Sequence, residues 1–214
     1  MSGGRIRSVR LKDGLGTALA SIGSASFNPY MAGAGLLPGI FTHQLALAAY
    51  MSSGMLRKVI TIPAEDRVRE WRDWQADKEQ IAAIEAEEER LGLQAKVLEA
   101  ETLRGVGGGA LVIITAGDHD KPLTAEKIAE KGIVAINVVS RWQIKGKDWI
   151  KDLADPAYGQ PAMWEVETGN GTPKPIHPSR VICFRGGRLP AGGTVIDEDA
   201  FCGDTRLLRV YKEG

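Results

Sequence analysis

The sequence predicts an α+β fold in which N-terminal helices are followed by a small mixed sheet with Pro- and Gly-rich loops. Three observations predict it. Apolar residues recur at three- and four-residue spacing through the first half of the chain, short runs of branched residues follow glycine clusters in the second half, and the two patterns are segregated instead of alternating as βαβ units. A chain of 214 residues is long enough to bury a substantial core in one domain.

Residues 1–41 are rich in Gly, Ser and Ala and include Gly33, Gly35, Pro38 and Gly39. Their low apolar density does not offset the entropy of ordering, so a flexible N-terminal arm with rapidly exchanging amides is expected there, and an α+β body over 42–214. Helical spacing begins at Thr42, with Leu45, Ala48 and Ala49, then Leu56, Val59 and Ile60, and Gly54 as the expected break. Pro63 lacks a backbone donor but suits the first turn of a new helix, with Glu65 and Asp66 at its positive end and Arg69 and Arg72 toward its other end. Trp71 and Trp74 would then share one face as core or subunit contacts.

Asp77 and Gln80 have the form of a capping box and open a helix with a narrow stripe of Ile81, Ile84 and Leu91. Glu85, Glu87, Glu88 and Glu89 fill its solvated side, Gly92 ends it, and Leu93, Val97, Ala100 and Leu103 define another. Ala110–Thr115 is a continuous apolar run of strand length. A turn-rich loop, a short helix from Thr124 to Gly132 and a strand over Ile133–Val139 come next. Extended segments are expected around Trp142–Ile144, Met163–Val166 and Val181–Phe184.

Composition excludes several classes. Lys plus Arg total 27, equal to Asp plus Glu, so no basic excess points to phosphate neutralisation on nucleic acid. Cys183 and Cys202 form no C-x-x-C pair, and small buried thiols in a reducing setting are expected. No run approaches the length of an apolar transmembrane span, so no membrane partner is expected. The basic start followed by Leu15–Ile22 is interrupted by Gly16, Thr17 and Ser21, and a cleaved signal is not expected.

Candidate chemistry is sparse. Gly105-x-Gly107-x-x-Ala110 imitates a dinucleotide fingerprint, but the order is helix, glycines, strand, opposite to what aims a helix N-terminus at phosphate, and no P-loop ending is present. Asp118-His119-Asp120 reads as an Asp-rich turn, because adjacent residues rarely converge on one metal. His177-Pro178-Ser179 is one H-x-S element. A two-histidine phosphoesterase needs two facing H-x-[ST] elements, and neither His43 nor His119 begins another. No G-x-S-x-G nucleophile elbow occurs. No catalytic, cofactor or metal residues are assigned, and the expectation is that the chain is not an enzyme.

The segment from Arg57 to Trp71, with Lys58, Val59, Ile62, Pro63, Ala64, Asp66, Arg69 and Glu70, resembles a stretch carried by members of a phage portal protein family also filed as a domain of unknown function. Ile84–Leu93, Gly107–Ile114, Val139–Trp142, Ile176–Val181 and Phe201–Asp204 match it in the same order. The resemblance implies the wing-like part of a portal, a structural virion protein at the portal vertex and in the host cytoplasm during assembly. The stem and channel helices that continue portals are not expected before Gly214.

Partners implied are other copies in a dodecamer-like ring, the terminase large subunit, head-to-tail connector and capsid proteins, and double-stranded DNA passing through the channel. Without stem helices, the chain alone is expected to be mostly monomeric. Arg69, Trp71, Trp74, His177 and Arg180 are the expected subunit or core contacts. Some relatives of the family carry an anti-CBASS name that refers to phage enzymes degrading cyclic oligonucleotide signals. The alternatives are therefore a nucleotide phosphodiesterase acting on such signals, or a truncated, non-assembling prophage remnant.

Overall fold

A computed structural model describes residues 42–187, except 73, 74, 76 and 170, together with 201–207. The arm expected over 1–41 lies outside the described residues, as does Trp74. The helices-then-strands order of an α+β fold is what the structure shows: α1 (His43–Ser52), α2 (Gly54–Arg69), α3 (Lys78–Leu91) and α4 (Leu93–Val106) precede β1 (Gly109–Ile114). A short α5 (Ala125–Lys131) separates β1 from β2 (Ala135–Ser140), and β3 (Ile144–Trp149), β4 (Pro161–Val166), β5 (Lys174–Ile176) and β6 (Val181–Phe184) follow. The strands form two antiparallel three-stranded sheets, ordered β2-β1-β6 and β3-β4-β5.

Local chemistry sets the helix boundaries. The Thr42 hydroxyl accepts from Leu45 N–H at 3.2 Å and caps α1, while Ser53 ends α1 and caps α2 through Leu56 N–H. Pro63 lies inside α2, not at the start of a new helix as the sequence implied. The helix tolerates the lost donor because Ile60, Ala64 and Val68 bury one face across that point. Helix α2 stops at Arg69, so Trp71 lies beyond its end. Asp77 caps α3 by position, without the side-chain hydrogen bond of a capping box. Gly92 closes α3 in the left-handed conformation at φ 60°.

Three layers result. Helix α2 crosses α4 where a Cβ on Gly105 would meet Ile60 Cγ2 at 2.6 Å, so the absence of a side chain sets the approach. One face of the β2-β1-β6 sheet meets the helices through Leu111 and Ile136 against Leu91 and Ala100. Its other face sends Ala110, Val112 and Val139 into a shared core with Ile144, Trp164, Val166 and Ile176 of the second sheet. Covering β1 on both faces is why its sequence is continuously apolar. Trp149, Trp164 and Phe201 close the edge of this core, with ring centroids 5.2 to 6.3 Å apart in tilted and edge-on geometries.

Candidate functional site

The segments that follow β1 and β5 meet at one corner, and the central group there is Arg180. Its side chain is fully buried. Nη1 donates to Thr115 Oγ1 at 2.8 Å, Nε to the Lys121 carbonyl at 2.9 Å and Nη2 to the Asp118 carbonyl at 3.3 Å. One guanidinium therefore holds the 115–121 loop by three neutral oxygens, in a fork only arginine supplies.

His177 sits on this platform at the start of a 3-10 turn, Pro178–Arg180. Its backbone N–H donates to the His119 carbonyl at 2.9 Å, which ties the two segments together. Ser179 N–H donates to His177 Nδ1 at 3.2 Å, and Ser179 Oγ lies 2.8 Å from the same nitrogen. Ser179 Oγ also accepts from Leu123 N–H at 2.8 Å, fixing the loop that leads from Lys121 into α5, which carries Lys127. A nitrogen that accepts a backbone N–H is unprotonated, so the ring proton resides on Nε2. That atom makes no hydrogen bond among the described residues and is a donor for a ligand oxygen.

Electrostatics follow from the same neighbours. Burial holds the His177 ring below its ordinary value of 6.5, and the charges of Arg180 and Lys127 add to the effect. Asp118 is held low by Lys121, whose Nζ lies 2.6 Å from Oδ2. Since folding lowers the His177 pKa, its contribution to stability is complete above about pH 6.5 and is lost as pH falls through the lower folded-state value. We therefore expect unfolding free energy to decline on acidification below about pH 6.5, before the carboxylates titrate near 4. The decline should vanish in His177→Asn, which keeps a capping oxygen. Denaturant titrations at stepped pH check this, and an unchanged slope in the variant would contradict it.

The remaining expected residues lie elsewhere. Arg69 is exposed at the end of α2 and pairs with Asp66 at 2.6 Å. Half-buried Trp71 donates from Nε1 to Glu88 Oε2 at 2.8 Å, and the Arg72 guanidinium covers its ring at 4.8 Å. No group of three or more His, Cys, Asp or Glu among the described residues is placed to hold a metal. His119 Nε2 lies 3.2 Å from the Thr115 carbonyl. Burial pushes the Cys183 thiol up to about 11, the behaviour of an inert core group.

Residues 44–213 match the family of phage portal proteins, and the chain belongs to that family. Membership fits an oligomeric phage assembly, and no helix among the described residues is long and apolar enough to cross a membrane. Two curated relatives are each named Anti-CBASS protein Acb1. The one from Sphingomonas paeninsulae is 38% identical over 194 residues, covering 90% of this chain and 31% of its own length. The one from Caulobacter sp. (strain RHG1) is 34% identical over 173 residues, covering 77% and 27%. The chain thus spans about a third of the length of these relatives.

These names correct two expectations. A purely structural virion component and a chain that is not an enzyme were expected from sequence; relatives named for anti-CBASS action agree with the alternative, the phosphodiesterase. Counting H-x-[ST] elements left His177 without a partner; folding joins its backbone to that of His119, a link no spacing rule encodes, while the His119 ring lies against the Thr115 carbonyl.

Proposed function

We propose that the chain works as part of an anti-CBASS enzyme, a phosphodiesterase that opens cyclic oligonucleotide signals, and that the histidine corner is its phosphate-facing surface. The observation that carries this reading is the His177–Ser179 pair, bonded through its backbone to His119, in a chain nine-tenths of which aligns with an anti-CBASS protein. Hydrolysis adds water across one P–O bond and leaves a linear product ending in phosphate. Negative charge grows on the phosphoryl oxygens in the transition state, so a fixed N–H donor and nearby cations lower the barrier.

His177 Nε2–H is such a donor, Lys127 supplies positive charge near the ring, and Arg180 anchors the adjoining 115–121 loop. The ring is not a base in this tautomer, because using it so would require breaking the Ser179 N–H bond to Nδ1. The portal-family match supports a phage particle as the setting, with the host cytoplasm as the compartment in which the signal is met.

The test is turnover. The protein, in the full length in which it occurs, is incubated with a panel of cyclic di- and trinucleotides, and linear products are resolved by chromatography. Hydrolysis of at least one cyclic species is expected; recovery of every cyclic substrate intact would contradict the reading.

A further inference from the structure

Strands β2, β6, β3 and β5 are the outer strands of the two sheets among the described residues, and three of them are blunted. Strand β3 carries Lys145 and Lys147 and leaves the extended region at Asp148, where φ is 52°. Strand β5 is three residues long and contains Pro175. Strand β6 runs into Gly186 and Gly187, whose N–H groups donate to the carbonyls of Cys202 and Asp204 at 2.7 and 2.9 Å. Charge, proline, short length and coverage all keep an edge from pairing with another chain. Strand β2 has none of these: Ala135–Ser140 is six residues without a charge or a proline, in unbroken register with β1.

That register fixes which backbone groups of β2 face outward. Arg141 N–H donates to the Gly108 carbonyl, so residues 135, 137 and 139 bond to β1 while 136, 138 and 140 point away from it. Ser140 is satisfied locally, its N–H by Gln143 Oε1 and its carbonyl by Gln143 N–H, both at 2.9 Å. The outward N–H and C=O groups of Ile136 and Val138 form the open part of the edge.

We propose that β2 is a dimer seam, at which the same strand of a second copy adds antiparallel and joins the two β2-β1-β6 sheets into one of six strands. The open groups are self-complementary. With Asn137 on the two-fold axis, Ile136 lies opposite the partner's Val138 and Val138 opposite the partner's Ile136. Four backbone hydrogen bonds then use every open group on both copies. Shifting the register by two residues sets an open residue against Val134 or Ser140, and both are already engaged: Val134 N–H donates to the Ile114 carbonyl at 2.8 Å. The seam is also apolar, since Ile136 and Val138 stand together on the helix-facing side of the sheet and exposed Val134 extends the row. It is independent of the phosphodiesterase reading and departs from the expectation that the chain alone is mostly monomeric.

The experiment is mild oxidative cross-linking of the full protein carrying Asn137→Cys, with wild type and Leu153→Cys, an exposed position between β3 and β4, as controls. Asn137 is itself exposed, and residues facing each other between ladder bonds have Cα atoms about 4.5 Å apart, a separation that a disulfide spans. The Asn137→Cys variant is expected to run as a covalent dimer on non-reducing electrophoresis at concentrations where both controls run as single chains. Light scattering then compares wild type with Asn137→Lys. Two like charges meeting on the axis should weaken self-association about fivefold. Absence of the Asn137→Cys cross-link, equal cross-linking in both cysteine variants, or unchanged self-association in Asn137→Lys would each overturn the seam.

Discussion

Arg180→Ala is expected to lower the unfolding free energy by about 3–5 kcal/mol, because a fully buried side chain and three hydrogen bonds from a charged donor are lost together. Three oxygens would lose their donor at once: Thr115 Oγ1 and the carbonyls of Asp118 and Lys121. Each buried acceptor left unpaired costs about 1–3 kcal/mol, and water entering the vacated space offsets part of the sum. Arg180→Lys separates charge from geometry. It keeps a cation but cannot span three oxygens, so it should recover less than half of the loss. Guanidinium unfolding followed by circular dichroism measures both variants. A cost below about 1 kcal/mol for the alanine variant would mean that the guanidinium does not hold the loop.

The second large effect is expected at Trp164. This side chain is 3% exposed and lies where the two sheets share a core, in contact range of Trp149 and Phe201. Trp164→Ala removes the largest ring of that core and leaves a cavity the sheets cannot close, for an expected loss of about 3–5 kcal/mol. The near-ultraviolet signal of the aromatic cluster should collapse with it. Trp164→Phe keeps one ring and should restore most of the loss. If the alanine variant unfolds at the wild-type denaturant concentration, the two sheets do not depend on a common core.

Where one signal dominated, the sequence was legible. Strand β1 announced itself as an uninterrupted apolar run because both its faces are covered, and Gly92 and Gly132 marked helix ends that only a residue without a side chain fits easily. Strand β5 escaped notice because it is three residues long and contains Pro175, a residue that argues against a strand. Pro63 was misplaced for the opposite reason: a strong local rule was overridden by the buried face of Ile60, Ala64 and Val68.

The candidate site was half legible. His177 and Ser179 could be singled out as a motif, and Arg180 beside them as a contact. Neither the complete burial of Arg180 nor the backbone bond between His177 and His119 could be read, since both come from packing between segments distant in the chain. Arginine burial runs against the usual preference of that residue, so no composition rule would have found it.

The role of the histidine corner is tested most directly by one rate. Initial velocities of cyclic-oligonucleotide hydrolysis are compared between the wild-type protein and His177→Ala at neutral pH, with folding of the variant established by its circular dichroism spectrum. Loss of one oriented donor to the transition state predicts a fall in kcat of about 10²–10³-fold. Hydrolysis at the wild-type rate in His177→Ala would contradict the account.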